Sequence, residues 1–230
     1  MRTPIPRTAR TQATAPYRVC FVCTGNICRS PMAEAVFRAR IEEAGLEELV
    51  AVDSAGTGGW HEGDGADPRT VAVLRAAGYE EDHTARQFRA EWFETLDLVI
   101  ALDDGHLRTL RRLAPTTQDA AKVRLLRSYD AAVSPGTSVA PEAREPTAPG
   151  ASAAPEGDAL PGGTGRPSTE APTGAHSHDH DLDVPDPYYG GMAGFEECLE
   201  MVEAASVGLL AAVRAALAGQ RPVAGEPSAA

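Results

Sequence analysis

Residues 19–34, VCFVCTGNICRSPMAE, determine how the rest of the chain is interpreted. The apolar residues before Cys23 are typical of a buried strand, TGNIC supplies a tight loop, and Pro31 suits the first turn of a helix. Cys23 begins the loop, and Arg29 ends it with Ser30 directly after. This order predicts an anion-binding loop that follows the first strand of an α/β fold.

The two ends of this loop carry the residue types that phosphoryl transfer through a cysteine requires. Loop N–H groups that point inward, together with a helix N-terminus, are expected to stabilise the thiolate of Cys23. Arg29 can hold two oxygens of a phosphate bidentately, and Ser30 can donate a hydrogen bond to the sulfur. A phosphate held against a thiolate predicts a cysteinyl-phosphate intermediate.

Three further motifs follow along the chain, and their order adds a family resemblance to the chemical argument. They are DSAGT at 53–57, DHTARQF at 82–88 and DPYYG at 186–190. Together with the Cys/Arg loop, they resemble the low-molecular-weight protein tyrosine phosphatase family. The resemblance covers about residues 17–130 and 181–218.

The resemblance implies a hydrolase that removes phosphate from phosphotyrosine. Cys23 is then the nucleophile, Arg29 binds the phosphate, and Asp186 is the general acid that later activates water. The phosphate-binding loop comprises Thr24, Gly25, Asn26, Ile27 and Cys28, followed by Ser30. The implied partners are phosphotyrosine-containing proteins, with inorganic phosphate as the product and no cofactor.

A supporting network is implied behind the loop. Asn26 is expected to hold the loop in a left-handed conformation, and Ser54 and His83 are expected to hydrogen-bond Asn26 and Ser30. Such contacts would keep the loop oriented before the substrate arrives.

Asp103 occupies the acidic position that the family has after the third strand. It is expected to act on Asp186 through like-charge proximity. The next residues depart from the family pattern, because Gly105-His106 stands where an asparagine is usual.

Aromatic residues are expected to form the rim of the site. Tyr188 and Tyr189 resemble one aromatic wall, Trp60 falls at the opposing position, and Thr24 and Ile27 complete the rim. A flat apolar slot above a deep phosphate loop favours an aryl phosphate, because a tyrosyl side chain is long enough to reach the loop.

The cysteines bear on redox chemistry and on location. Members of the family carry a cysteine at the place of Cys28, which can trap the oxidised nucleophile Cys23 as a reversible disulfide; the alternative is a small packing residue. Three of the four cysteines lie within nine residues of sequence. This crowding indicates reactive thiols in a reducing compartment, and we expect the protein to be cytoplasmic.

Charge and hydropathy exclude some classes of partner. The net charge of −12 argues against a nucleic-acid-binding surface, which needs a basic face. We expect no apolar run to span a membrane, and the first residues lack the apolar segment of a secretory signal. We therefore expect no nucleic-acid and no membrane partner.

The composition changes in the middle of the chain. Residues 131–180 contain eight prolines and seven glycines but no Phe, Tyr, Trp or Cys, which predicts a disordered insertion. We expect one domain made of 17–130 and 181–219, with disordered tails at 1–16 and 220–230.

Alternate histidines end the insertion, at His176, His178 and His180. Such a pattern can bind metal weakly, but we interpret it as a solvated linker and predict no metal site.

Periodicity places the elements of a single doubly wound α/β domain. Strands are expected at 17–22, 50–54, 97–102 and 122–126, forming a four-stranded parallel sheet flanked by helices. Helices are expected at 31–44, from Asp67-Pro68 to Gly78, at 90–96, at 105–114 and from 195 to about 218.

Two other functions remain open on the sequence alone. An arsenate reductase of similar fold would use the same Cys/Arg loop, but it relays a disulfide through further cysteines. After Cys28 the chain offers only Cys198, which disfavours this function. A phosphotyrosine-binding adaptor would be expected to have lost Cys23 or Asp186, and both are present.

Overall fold

The computed structural model describes residues 15–133 and 182–220. The predicted insertion, with its three histidines, lies outside the described residues except for 131–133, and so do most of the predicted tails. Residues 131–133 form a turn in which the N–H groups of Ala132 and Val133 bond Asp130 at 2.9 and 3.2 Å. The described domain therefore continues three residues past the predicted boundary.

Four parallel strands form one sheet in the order β2-β1-β3-β4, which confirms the predicted architecture. The strands are β1 (Tyr17–Cys23), β2 (Val50–Gly56), β3 (Leu98–Ala101) and β4 (Val123–Leu125). β1 lies between β2 and β3. The connection that leaves β1 leads to β2 on one side of β1, and the connection that leaves β2 leads to β3 on the other side. Ligands of open α/β sheets bind at such a switch point, beyond the carboxyl end of the strand.

Within residues 15–133 and 182–220, five helices flank the sheet. They are α1 (Arg29–Glu43), α2 (Pro68–Ala76), α3 (Asp104–Leu113), α4 (Thr117–Ala121) and α5 (Met192–Gln220), with 3₁₀ turns at Ala90–Glu94 and Leu126–Tyr129. Side chains that accept an N–H of the first turn fix the start of α2, α3 and α4: Asp67, Asp103 and Thr116. The sequence did not predict α4, because five residues are too few to show periodicity.

Each face of the sheet has its own apolar core, as a doubly wound domain requires. One core joins β1 to α1 and α5, and in it Phe21 packs edge-on against Phe37 with 5.6 Å between ring centroids. The other core lies towards α3 and the 90–94 turn, where Phe88 and Phe93 pack at 5.2 Å.

Helix α5 corrects one expectation from the sequence. Its residues Met192–Gly219 are long and apolar enough to span a membrane by length and composition, whereas no such run was expected. In the structure, one face of α5 is buried: its fully buried side chains Phe195, Val202 and Leu209 pack in the core shared with α1, while 28% of its most apolar 18-residue window is buried. The buried stripe accounts for the apolar residues on this face of the helix.

Candidate active site

A five-residue loop joins β1 to α1 and begins directly after a buried cysteine. Cys23 ends β1 with 3% of its surface exposed, and its Sγ lies 3.0 Å from Oγ of Ser30 in the first turn of α1. Cys28 is the residue before the helix, and Arg29 is its first residue. The sulfur therefore lies beside the N-terminus of α1, where N–H groups and the helix dipole favour a negative charge.

Asn26 organises the loop from its inner side. Among the residues that the structure describes, it is the only non-glycine with a positive φ, 57°. Its buried Nδ2 donates to Oγ of Ser30 at 2.9 Å and to Oγ of Ser54 at 2.8 Å. Its Oδ1 accepts the Arg86 N–H at 2.9 Å, and its carbonyl oxygen is 2.6 Å from Nε2 of His83. Ser54 and His83 thus both contact Asn26, and Asn26 in turn donates a hydrogen bond to Ser30.

A carboxylate that the sequence analysis missed lies behind this network. Glu34 of α1 is 8% exposed, and its Oε2 accepts a hydrogen bond from Oγ of Ser54 at 2.6 Å. Burial alone would raise the pKa of Glu34, but His83, Ser54 and the charge of Arg38 hold that pKa below its ordinary value. A charged carboxylate therefore ends the chain of contacts that runs from the loop through Asn26 and Ser54.

Arg29 is buried and held between two carboxylates. Its Nη1 donates to Oδ2 of Asp103 at 2.7 Å and to the Val184 carbonyl at 3.1 Å, while Nη2 donates to Oδ2 of Asp186 at 2.7 Å. Burial opposes its positive charge, but the negative groups at Cys23, Asp186 and Asp103 raise its pKa above the usual value. The two acidic residues that the sequence analysis singled out are thus joined through one cation.

His106 links the same arginine to the phosphate-binding loop. Its Nε2 lies 2.9 Å from Oγ1 of Thr24, which accepts a hydrogen bond from Nη2 of Arg29 at 3.2 Å. Asp103 caps α3 by accepting the His106 N–H at 2.8 Å. Burial alone would raise the pKa of Asp103, but His106 and Arg29 hold it well below its ordinary value. His106 therefore connects Thr24 to Asp103 where the sequence departs from the family pattern.

The loop that carries Asp186 is attached to the end of β3. The N–H of Val184 donates to the Leu102 carbonyl at 2.8 Å, directly after that strand. While Oδ2 of Asp186 binds Arg29, its Oδ1 accepts the Tyr188 N–H at 3.1 Å. The carboxylate is therefore oriented by its own loop as well as by the arginine.

These groups open into a cleft of about 410 Å³ with an aromatic rim. Trp60 is 77% exposed, Tyr188 40% and Tyr189 94%, and the two tyrosine rings meet edge to face at 5.0 Å. His61, which the sequence analysis did not single out, also lines the cleft. Its Nδ1 lies 3.1 Å from Oδ2 of Asp64. The lining residues are Cys23, Thr24, Gly25, Ile27, Cys28, Arg29, Trp60, His61, Asp186, Tyr188 and Tyr189.

Most of the chain, including every residue that lines the cleft, matches one protein family. The model of the low molecular weight phosphotyrosine protein phosphatase family matches residues 18–142 and 174–219, which is most of the chain. The chain belongs to this family. The unmatched segment between the two matches, 143–173, falls within the Pro- and Gly-rich part of the sequence.

Relatives within the phosphatase family match most of this chain. A low molecular weight protein-tyrosine-phosphatase of Streptomyces coelicolor is 61% identical over 204 residues, or 89% of this chain and 98% of the relative. Low molecular weight protein-tyrosine phosphatase A of Mycobacterium tuberculosis is 40% identical over 194 residues, or 84% of this chain and 90% of the relative. A crystal structure of a protein tyrosine phosphatase from Entamoeba histolytica superimposes with a TM-score of 0.63 at 27% identity, covering 87% and 99% of the two chains.

All four cysteines of this phosphatase family member are free thiols. Cys20 points into the second core, whereas Cys23 belongs to the first, so the two sulfurs face opposite sides of β1. Burial raises the pKa of Cys28 to about 12 and that of Cys198 to about 12. Both of these thiols are therefore protonated at neutral pH.

No group of three or more His, Cys, Asp or Glu side chains is placed to hold a metal in residues 15–133 and 182–220. The three histidines of the insertion lie outside these ranges.

Proposed function

We propose that this protein hydrolyses phosphotyrosine in protein substrates through a cysteinyl-phosphate intermediate. The observation that carries the proposal is the convergence of three groups on one cleft: the sulfur of Cys23, the guanidinium of Arg29 and the carboxylate of Asp186. These are a nucleophile, an anion-binding group and a proton donor, which phosphate-ester cleavage requires.

In the first step, the Cys23 thiolate attacks phosphorus in line with the ester oxygen, forming the S–P bond as the P–O bond breaks. Phosphate oxygens replace the Asp186 carboxylate on Nη2 of Arg29, and the loop N–H groups bind the others. Asp186, protonated and released from the arginine, donates its proton to the leaving phenolate oxygen.

In the second step, the carboxylate of Asp186 takes a proton from a water molecule whose oxygen attacks phosphorus. The S–P bond breaks, inorganic phosphate leaves, and the Cys23 thiolate is regenerated. Oγ of Ser30, 3.0 Å from Sγ, stabilises this leaving thiolate by hydrogen bonding. The reaction consumes one water and requires no metal or cofactor.

The rim supports an aryl substrate. Ile27, Trp60 and Tyr188 offer apolar surface around the mouth of the cleft, where a phenyl ring can be enclosed while its phosphate reaches the loop. Phosphoserine is too short to occupy both positions at once.

A reducing, cytoplasmic setting fits this chemistry. The reaction needs Cys23 as a free thiolate, and the four free cysteines agree with such a compartment. The net charge of −12 disfavours nucleic acid as a partner.

Arsenate reduction is not favoured as an alternative. Beyond Cys28 the chain has a single cysteine, Cys198, whose buried thiol has its pKa raised to about 12. A protonated, buried thiol is a poor member of a disulfide relay. A phosphotyrosine-binding adaptor would have no need of Asp186, so turnover distinguishes it from the phosphatase.

The test is hydrolysis of an aryl phosphate and of matched phosphotyrosine and phosphoserine peptides by the purified full chain. Cys23→Ser should lose roughly a thousandfold or more in kcat, because the nucleophile is gone. Asp186→Ala should lose about a hundredfold or more, because the leaving group is no longer protonated. Glu197→Ala, which removes an exposed carboxylate from α5, serves as the control and should match wild type.

Wild type should prefer the phosphotyrosine peptide and be inhibited by vanadate. If folded, reduced wild-type protein turns over neither peptide nor aryl phosphate, the proposal is wrong. Stoichiometric phosphotyrosine binding without turnover would then identify an adaptor.

A further inference from the structure

Arg69 in the first turn of α2 joins parts of the site that are distant in sequence. Its Nε and Nη2 donate to the two carboxylate oxygens of Asp67 at 3.0 and 2.8 Å. Its remaining nitrogen, Nη1, donates to the Gly190 carbonyl at 3.1 Å. The planar group thus binds a carboxylate along one edge and the loop of the general acid along another.

Two aromatic rings also lie against the same guanidinium, and 33% of the Arg69 side chain stays exposed. Its carbon lies 4.5 Å from the ring centroid of Phe195 on α5 and 5.7 Å from that of Tyr188 in the general-acid loop. A guanidinium that donates hydrogen bonds from all three of its nitrogens and lies over two aromatic rings is restricted in orientation.

Asp67 connects this arginine to the phosphate-binding loop. The N–H of Asp67 donates to the Ile27 carbonyl at 2.8 Å, and its side chain, 8% exposed, caps α2 through the Arg69 N–H. Hydrogen bonds from Arg69 hold the pKa of Asp67 below its ordinary value, so the pair stays charged. One end of the contact chain is therefore the loop that binds phosphate.

The other end of the chain is the turn that follows Asp186. Gly190 N–H donates to the Pro187 carbonyl at 2.9 Å, which closes a turn of four residues. Arg69 holds the last residue of that turn through Gly190, and Asp186 itself receives the Tyr188 N–H. Fixing the position of the turn fixes the direction in which the carboxylate points.

We propose that Arg69 is a positioning residue that sets Asp186 relative to the phosphate-binding loop, through Asp67 on one side and the Pro187–Gly190 turn, which directly follows Asp186, on the other. The inference rests on the proposed function and adds a residue to it. Capping α2 requires Asp67 alone, so the contacts of Arg69 with Gly190, Tyr188 and Phe195 are not explained by helix stability.

The contact matters because Asp186 must exchange partners during the reaction. Its Oδ2 binds Arg29 in the structure, and proton donation requires it to move from that arginine to the ester oxygen. A turn that is anchored away from Arg29 keeps the carboxylate within reach while this exchange occurs.

The experiment compares kcat/KM for aryl phosphates whose leaving groups differ in basicity. Dinitrophenolate leaves without a proton, whereas phenolate needs one, so only phenyl phosphate depends strongly on the general acid. Arg69→Ala should lower kcat/KM for phenyl phosphate about tenfold and leave that for dinitrophenyl phosphate within about twofold of wild type. A general loss of structure would lower both alike.

Three further variants sharpen the test. Arg69→Lys keeps the charge but loses the two-pronged donor and the flat stacking surface, so it should stay impaired with phenyl phosphate. Arg75→Ala removes an exposed arginine from the last turn of the same helix and should match wild type. In the double variant with Asp186→Ala, Arg69→Ala should cause no further loss.

Each outcome bears on one proposal. If wild type and Asp186→Ala behave as expected but Arg69→Ala lowers kcat/KM for both substrates equally, the positioning role is wrong and the phosphatase function stands. Full activity in Arg69→Lys, or additive losses in the double variant, also contradicts it. If Arg69→Ala does not fold, Arg69→Lys decides by the same comparison. No turnover by wild type contradicts the proposed function instead.

Discussion

Thr24 and His106 show that the site depends on contacts between single side chains far apart in sequence. His106 is 5% exposed, and its Nε2 meets the hydroxyl of Thr24 at 2.9 Å. The same hydroxyl accepts a hydrogen bond from Arg29, so the imidazole orients a group that in turn contacts Arg29. Removing one partner leaves the other polar group buried without a hydrogen bond. This costs more free energy than the hydrogen bond itself contributes to stability.

We predict that His106→Ala lowers kcat/KM for an aryl phosphate about tenfold, because the support of Arg29 is weakened. Thr24→Val removes the same contact from the other side. Because the two residues act through one contact, the double variant should lose less than the two single losses combined, with a coupling of about 1 kcal/mol. Steady-state kinetics of the four proteins measures the coupling, and strictly additive losses would contradict the link.

The residues of the loop could be predicted because they are neighbours in the chain. Cys23, Arg29 and Ser30 share one strand–loop–helix segment, whose local chemistry already suggests an anion site. Glu34 and Arg69 gave no such signal, since a charged residue in a helix ordinarily faces solvent. Their roles arise from tertiary contacts, with Ser54 of β2 and with Gly190.

At the scale of elements, the approach of α5 to the rest of the domain depends on one glycine. A methyl group added at Gly208 would overlap the carbonyl oxygen of Tyr129, in the 3₁₀ turn that follows β4. The overlapping atom belongs to the backbone and cannot turn aside as a side chain would. The helix axis therefore lies closer to that turn than any larger residue permits.

We predict that Gly208→Ala destabilises the protein by about 1–3 kcal/mol despite the better helix propensity of alanine. Gly219→Ala in the same helix is the control, because its added methyl group meets no atom within 4 Å. The control should be neutral or slightly stabilising. Urea unfolding of both variants measures the difference, and equal midpoints would show that α5 can shift without cost.

The sequence predicted the longer elements well and the short ones less completely. Strand β3 and helix α1 carry continuous or periodic apolar patterns, whereas the five residues of α4 are defined by the Thr116 cap. The 3₁₀ turn at Leu126–Tyr129 was likewise missed, since its position follows from packing against α5.

At the scale of the whole molecule, two segments separated in sequence build one site. Hydrogen bonds at Asp183 fix the start of the second segment. The Asp183 carbonyl oxygen accepts from Nη1 of Arg127 at 3.1 Å, and Oδ1 of Asp183 accepts the Asp104 N–H at 2.7 Å. These contacts set the start of the general-acid loop close to Val184. The length of chain before Asp183 then has little influence on where Asp186 lies.

We predict that deletion of residues 143–173 leaves kcat/KM within about twofold of wild type, because loop length contributes only weakly to closure entropy. Asp183→Ala, which removes a described anchor, should lower kcat/KM several-fold, by roughly 1 kcal/mol of lost positioning. Kinetics and thermal melting of both proteins test the contrast. A large loss of turnover in the deletion would assign the insertion a part in the reaction.

The position of α5 late in the chain affects when the core on the α1 side of the sheet can form. Cys23 and its loop are synthesised before Asp186 and before the helix that packs against α1. Until Phe195 and Leu209 have been made, the apolar surface around Phe21 stays exposed, and such surface is prone to aggregation. The α1 side of the sheet is therefore covered, and Asp186 is brought to the cleft of Cys23, only once the second segment of the domain has been made.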